Sequence, residues 1–219
     1  NELSAPLGGT CTVNTTVTVQ QITMGLFTGT LDFSANNNNV TLSVAFSGTG
    51  TGTRTLNMGN GTWLIQGFNS NTWDCTTVTG FTLNANSSTL SFIPSTPTPT
   101  GIINFASGGK SYNIVTHSGV TNSQPFNIQG APTIATLIMT APANVAFASG
   151  TTTTITNAPA WIGTSSNQLF IGSNTATAVA TVVLNAAGGT AQWAAIRALT
   201  VTTNALTATN SFDLKSNTL

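Results

Sequence analysis

Short apolar segments alternate along the whole chain with runs of Asn, Gly, Ser and Thr. Within each segment apolar and polar residues alternate, as they do in a strand that buries one face. Helical spacing of apolar residues is nearly absent, and Thr, Val, Ile, Asn and Gly are mediocre or poor helix formers. A helix competes only over Ala191–Leu199, and the Thr/Val run that follows favours strand. The pattern therefore predicts an all-β fold.

The alternating segments recur roughly every 20 to 27 residues, which is typical of a solenoid whose coils bury their faces by stacking. The first four apolar pairs are Leu31-Phe33, Leu56-Met58, Phe81-Leu83 and Ile103-Phe105. In a parallel β-helix, equivalent side chains stack about 4.8 Å apart, so that Asn amides and Thr hydroxyls can satisfy one another. This favours a parallel β-helix (solenoid).

A β-sandwich or jelly roll is the alternative, because the same short strands could pair antiparallel through turns such as Asn60-Gly61. The chain's two cysteines, Cys11 and Cys75, distinguish the two folds. They are 64 positions apart, which in a β-helix is two to three coils, or roughly 10 to 14 Å along the stack. A disulfide needs Cα atoms within about 7 Å. A β-helix therefore predicts free thiols, whereas a sandwich allows a Cys11–Cys75 disulfide.

The alanine content changes near Gly130: residues 1–130 contain five Ala and residues 131–219 contain nineteen. We therefore expect a Thr/Asn/Gly-rich β-solenoid lobe over 1–130 and an Ala/Thr-rich β lobe over 131–219, continuous with the first. The alanines would either form flat outward faces or fill a narrower coil interior. The sequence leaves these two readings open.

Charged residues make up only 4% of the chain, and the formal net charge is +0. Nucleic acid binding requires clustered Lys or Arg, so no nucleic-acid partner is expected. No apolar run approaches the roughly 18 residues of a membrane span, so no membrane insertion is expected. A surface of hydroxyls and amides suits particles or filaments, and we expect a virion or an extracellular, cell-surface location.

Reactive groups are few. His117 is the only histidine, no Gly-x-Ser-x-Gly motif accompanies it, and no Cys/His cluster has metal-ligand spacing. Asp32 and Asp74 are the best carboxylate pair for cleaving a glycosidic bond, but we interpret them as turn residues. The sequence predicts no enzyme, no cofactor and no metal.

Exposed aromatic rings are the usual way for a neutral surface to bind sugars. Trp73, in the polar segment "NSNTWDC", and Trp161 are the candidates for contact with a glycan or receptor. Trp63 and Trp193 lie in apolar segments and are predicted to be core residues.

The segments "GTLDFSANNNNVTLS", "GTGTRTLNMGNGTW" and "FTLNANSSTLSF" resemble low-charge Thr/Asn/Gly-rich β repeat proteins of phage tail fibres, virions and bacterial surfaces. The resemblance covers roughly residues 28–157. It implies extended β structure, a virion or cell-surface location, and a role in attachment or particle architecture. It carries over no catalytic residue.

We therefore expect a structural virion component, such as a phage fibre, spike or capsid decoration protein, acting in particle architecture or host attachment. Its partners would be other copies of itself, as a trimer or lattice, with other virion or surface proteins and a host glycan. The alternative is an extracellular adhesin or pilus-like filament subunit that donates a strand from residues 1–20 to a neighbour. The Thr/Val alternation of "TVNTTVTVQ" suits such a strand, and the residues that we assign to it are Thr12, Val13, Val17 and Val19.

Overall fold

A computed structural model describes residues 2–4, 8–68, 70–77, 79–95, 101–118, 125–215 and 217–219. These residues form strands and turns, with no helix and hence none that could cross a membrane. In chain order the strands are β1 (Glu2–Ser4), β2 (Thr10–Thr12), β3 (Val17–Thr23), β4 (Gly29–Asp32), β5 (Val40–Ser47), β6 (Arg54–Asn57), β7 (Thr62–Ile65), β8 (Ser70–Asp74), β9 (Phe81–Asn84), β10 (Thr89–Phe92), β11 (Ile103–Ala106), β12 (Ser111–Ser118), β13 (Pro125–Gln129), β14 (Thr133–Thr140), β15 (Ala143–Phe147), β16 (Thr152–Ile155), β17 (Ala160–Ile162), β18 (Leu169–Ser173), β19 (Ala180–Leu184), β20 (Gly189–Gln192), β21 (Ala194–Arg197), β22 (Leu199–Thr202), β23 (Leu206–Thr209) and β24 (Phe212–Lys215).

Strand pairing identifies the fold as a parallel β-helix. Each strand pairs with the strand one coil earlier or later, and all pairings among the described strands are parallel. The β-sandwich alternative is wrong, because a sandwich of short strands would need antiparallel hairpins. The short strands alternate inward and outward as predicted, but they stack on the next coil instead of folding back.

The coils present three faces. Face 1 contains β2, β4, β6 and β9, the start of β12 and of β14, and then β16, β19 and β22. Face 2 contains the start of β3 and of β5, then β7, β10, the end of β12 and of β14, β17, β20 and β23. Face 3 contains β1, the end of β3 and of β5, then β8, β11, β13, β15, β18, β21 and β24.

The core lies inside the coils as columns of stacked side chains. One column on face 3 runs through Ile22, Phe46, Trp73, Phe105, Ile128 and Phe147, all of them buried. Phe46 and Trp73 are stacked with ring centroids 4.3 Å apart. Burial of each such side chain contributes roughly 1.5–3 kcal/mol, so the columns are the main source of stability.

Coil length varies more than the sequence predicts. Partners on face 3 are 32 residues apart for Trp73 and Phe105 but only 17 apart for Ala195 and Phe212. The C-terminal interior is correspondingly lined by small side chains: Ala143, Ala180, Ala191 and Ala194 are fully buried. These alanines therefore fill a narrower interior. On faces 2 and 3 the ladders continue from residues 1–130 into residues 131–219 through β12–β14 and β13–β15.

The asparagine run 36–39 is a turn that binds the coils on both sides of it. Two of its members bond back to the preceding coil. The side-chain Nδ2 of Asn36 donates to Oδ1 of Asn14 at 3.0 Å, and Nδ2 of Asn38 donates to the carbonyl oxygen of Val13 at 2.9 Å.

The other two members of this run bond forward. Oδ1 of Asn37 accepts the backbone N–H of Asn60 at 3.0 Å, and Oδ1 of Asn39 accepts the N–H of Thr62 at 2.8 Å. Asn37 has a φ of 51°, in the left-handed region that Asn tolerates better than most residues. The run is therefore an ordered part of the fold and not a linker.

Candidate functional site

The two tryptophans predicted to contact a glycan are fully buried, and that prediction is wrong. Nε1 of Trp73 donates to the hydroxyl of Tyr112 at 3.1 Å, and Nε1 of Trp161 donates to the carbonyl oxygen of Leu137 at 3.1 Å. Of its two polar neighbours, Asp74 is half-buried, whereas Thr72 is fully buried and its hydroxyl donates to the carbonyl oxygen of Asn104 at 3.2 Å. Neither ring can stack on a sugar at the surface.

Of the two tryptophans predicted to be core residues, Trp63 is fully buried and Trp193 is not. Trp193 is half-buried at the corner between β20 and β21, where its φ is 52°. Its apolar neighbours belong to the two strands, and the corner turns the Trp193 ring partly outward. The prediction for Trp193 was therefore wrong.

Both cysteines are free thiols, so the candidate Cys11–Cys75 disulfide is absent, as a β-helix predicts. Cys11 is half-buried on β2 of face 1, and Cys75 is buried directly after β8 of face 3. Burial raises the pKa of the Cys75 thiol to about 12. Cys75 is therefore an unreactive core residue.

The proposed donor strand is already part of the chain's own first coil. Thr12 pairs with Asp32 in face 1, and Val17 and Val19 pair with β5 in face 2. Val13 is buried next to β2, and its N–H donates to the carbonyl of Asp32 at 2.8 Å. The assignment of these residues as a strand donated to a neighbour is therefore corrected. Asn1 and residues 5–7 of that segment lie outside the described residues.

His117 is a core residue of face 2. Its Nδ1 lies 3.1 Å from the carbonyl oxygen of Phe92 and so donates to it, and its ring stacks on Phe126 with centroids 4.7 Å apart. Burial lowers the pKa of His117 to about 4, against the opposing effect of the Phe92 hydrogen bond. Nε2 is buried without a partner among the described residues. The ring is neutral at pH 7 and contacts no nucleophile that it could activate.

The two candidate carboxylates each bind their own turn. Oδ1 of Asp32 accepts both the N–H and the hydroxyl of Ser34, at 2.8 and 2.6 Å, and these bonds lower the pKa of Asp32. Asp74 makes the same pair of bonds with Thr76, at 2.9 and 2.6 Å. Burial opposes ionisation of Asp74, but the bonds from Thr76 and Asn71 outweigh it and lower the pKa. Both are ionised turn residues, and neither has the raised pKa of a general acid.

No group of three or more His, Cys, Asp or Glu side chains that could hold a metal ion occurs in the described ranges. The side chain of Glu2, one of the chain's four acidic residues, lies outside them. The described residues therefore offer no metal centre, and the surface must be judged by its shape and its hydrogen-bonding groups.

The most unusual charged group among the described residues is Arg54. It is fully buried, and its guanidinium donates only to backbone carbonyls. Nε and Nη2 donate to Gly48 at 2.8 and 2.5 Å, and Nη1 donates to Gly52 at 2.7 Å. Longer bonds reach Thr77 and Thr79, at 3.2 and 3.3 Å. Arg54 therefore joins the turns of two successive coils.

A signal for this inward position is present in the sequence. Arg54 lies two positions before Leu56 and four before Met58, and both of those side chains are fully buried. Because side chains at i, i+2 and i+4 share one face of a strand, the alternation itself places Arg54 inside.

Face 1 has one break, between β9 and the start of β12. The two strands do not pair, and a shallow groove of about 410 Å³ lies between them, with Leu83 half-exposed along it. Nζ of Lys110 donates to the carbonyl oxygen of Phe81 at 2.6 Å and so satisfies one acceptor on the open side of β9. The groove is lined by four Asn and Ser residues and by Leu83, Ala85, Tyr112 and Ala135. The one titratable group among these lining residues, the Tyr112 hydroxyl, is buried and donates to the carbonyl oxygen of Ser107 at 3.0 Å.

Beyond this break, face 1 carries a regular outward array of threonines, here called the threonine face. Its members are Thr152, Thr154, Thr181, Val183, Thr200, Thr202 and Thr218. The residues between them, such as Thr153, Val182 and Val201, are buried. The seven members are therefore outward, and all are exposed or half-buried.

Comparison of the chain with protein-family models, with curated proteins and with solved structures finds no match. The function is therefore inferred from the geometry of the chain itself.

Proposed function

We propose that this chain is a structural component of a virion, such as a phage fibre, spike or capsid decoration protein, acting in particle architecture or host attachment. The observation that carries the proposal is the continuous stack of parallel coils, because it makes a stiff body from a chain with almost no charge. The described residues bring together no set of groups suited to catalysis, so the proposed role is mechanical.

Stiffness comes from bonds that cross between coils. Main-chain ladders link each coil to the next on faces 2 and 3, and on face 1 everywhere except between β9 and the start of β12. Side chains add to these bonds: the Asn36–Asn14 and Asn84–Asn57 amide bonds, at 3.0 and 2.7 Å, each join neighbouring coils. Since these bonds involve neutral groups, salt does not screen them. A particle exposed to changing ionic conditions would keep its shape.

Face 3 is the surface that we assign to self-association. Phe170, Ala195 and Phe212 are neighbours in one outward column, and a hollow of about 210 Å³ lies beside them, with Leu214 on its rim. Phe170 is 37%, Phe212 55% and Leu214 47% exposed. Apolar groups that are exposed together mark interaction sites, and a second copy of this chain, whose net charge is +0, is the partner that we propose.

The location is tested by immunogold electron microscopy and by mass spectrometry of particles purified from the source culture. The proposal expects gold label on virions and the protein at a fixed stoichiometry in the particle. Label on intact cell surfaces or on filaments would instead support the alternative of an adhesin or filament subunit. Recovery in the cytosol alone would overturn both.

Self-association is tested separately by analytical ultracentrifugation of the purified chain. The Phe212→Lys variant should shift the protein toward monomer. Thr82→Lys, an exposed change on face 1, is the matched control and should leave the oligomer unchanged. A monomeric wild-type chain would refute the assignment of face 3.

A further inference from the structure

We propose that the threonine face binds ice: its two in-register columns of outward side chains, six threonines and one valine, form a regular, neutral array that matches an ordered water lattice. This proposal is independent of the virion role, because it concerns a surface that the scaffold presents and not the particle to which it belongs.

The array is regular in two directions. One column contains Thr152, Thr181, Thr200 and Thr218, and the other contains Thr154, Val183 and Thr202. Neighbours within a column are about 4.8 Å apart, and the two columns are about 6.6 Å apart, because they are two residues apart along a strand. The pairings β16–β19 and β19–β22 have no register shift. The prism faces of ice repeat their oxygen atoms at spacings close to these two.

The hydroxyls of the array are available to water. In the described ranges, none of the six threonine hydroxyls has a hydrogen-bond partner within the protein. Asn57 and Asn84, at outward positions of face 1 before the break, instead bond to each other. Threonine is stiff at χ1 because it is branched at Cβ, so the hydroxyls and methyls lose little entropy when water orders on them. Val183 keeps the branched shape with a methyl in place of the hydroxyl.

The chemistry of the array favours ice over a sugar or a charged polymer. None of its members is charged or aromatic, and aromatic platforms are the usual means of binding sugar rings. A single threonine–water bond gains nothing over bulk water. Several bonds made at once to waters fixed in a lattice do gain free energy, because each successive bond is intramolecular. A partner that makes several such bonds at once must itself be uncharged and must repeat at the spacing of the threonines.

The test uses the purified full chain, and measures thermal hysteresis and partitioning into a slowly growing ice front. The wild-type protein should shape ice crystals and enter the ice. Thr181→Lys, near the centre of the array, should abolish both effects, because it adds a long charged side chain among short neutral ones. Thr190→Lys, at an exposed outward position on face 2, is the matched control and should retain both.

Thermal unfolding of each variant establishes that it is folded. If Thr181→Lys does not fold, Thr202→Lys at an exposed position of the second column replaces it. Exclusion of the wild-type chain from ice without hysteresis would overturn the proposal. Equal loss in the array variant and in Thr190→Lys would also overturn it, because the effect would then not be specific to this face.

Discussion

The guanidinium of Arg54 lies over the ring of Phe81, with its central carbon 5.3 Å from the ring centroid. Phe81 is the first residue of β9, and Arg54 is the first of β6, its ladder neighbour. Nζ of Lys110 lies 5.5 Å from the same centroid. A buried aromatic ring and a set of carbonyl oxygens thus replace the carboxylate that usually accompanies a buried cation.

Replacing Arg54 by Lys should therefore destabilise the fold even though the charge is kept. An ammonium has three donors and no planar fork, so several of the carbonyls now bonded to the guanidinium would remain buried without a partner. We expect the free energy of unfolding to fall by about 2–4 kcal/mol, measured by denaturant titration. Arg197→Lys, at an exposed arginine, is the control and should leave the midpoint unchanged. Equal midpoints for Arg54→Lys and wild type would contradict the role assigned to Arg54.

The alternation of apolar and polar residues was sufficient to predict an all-β fold, because alternation depends only on neighbouring residues within one strand. The recurrence of the alternating segments then favoured a solenoid. The errors occur where the strands are irregular. Trp73 follows a register shift in the pairing of β8 with β11, so its polar neighbours gave no indication of its direction. Trp193 lies at a corner with positive φ. Local composition contains no signal for either feature.

The threonine face was not predicted for a different reason. Outward threonines can be recognised within each strand, but whether Thr181 stacks on Thr200 depends on the number of residues in the intervening coil. That number varies along the chain, from 29 between Thr152 and Thr181 to 19 between Thr181 and Thr200. A fixed period therefore misaligns the columns, and the array becomes visible only when the ladders are known.

His117 should make stability depend on pH above the range in which carboxylates titrate. Its folded pKa of about 4 lies below the ordinary value of 6.5, so the unfolded chain binds the proton more readily. Stability is then complete above pH 6.5 and is lost as pH falls toward 4. The loss should approach about 3 kcal/mol, measured as the free energy of unfolding at several pH values.

The control for this pH dependence is His117→Met. His117 pairs with Met139 of the next coil, so Met is a residue type that this stack of side chains already contains. The stability of this variant should be flat between pH 6.5 and 4. Asp32 and Asp74 do not account for a loss of stability in this pH range. Their folded pKa values are lowered, so the stability that they contribute is lost only as pH falls below 3.8. A variant with the same slope as wild type would show that another group titrates.

The two thiols should differ in reactivity. Cys75 is buried with a pKa of about 12, whereas Cys11 is half-buried on β2. We expect a thiol reagent at pH 8 to modify Cys11 alone in the native protein and both cysteines in denaturant, and Cys11→Ser to abolish the native reaction. A non-reduced intact mass lower by two hydrogens, with neither thiol reactive, would establish the disulfide that the parallel stack excludes.

Two glycines in similar turns separate backbone strain from close packing between coils. Gly108 and Gly150 each follow an Ala-Ser pair and have φ values of 63° and 71°. A Cβ at Gly108 would lie 1.9 Å from the carbonyl oxygen of Cys75 in the previous coil, whereas a Cβ at Gly150 would meet nothing within 4 Å. Both alanine variants incur the cost of a left-handed conformation, roughly 1–2 kcal/mol, but only Gly108→Ala must also push two coils apart.

Thermal and denaturant unfolding should therefore find Gly150→Ala modestly destabilised and Gly108→Ala destabilised by at least about 2 kcal/mol more. Equal losses would mean that left-handed strain alone sets the cost, and that the coils are not in close contact at this corner.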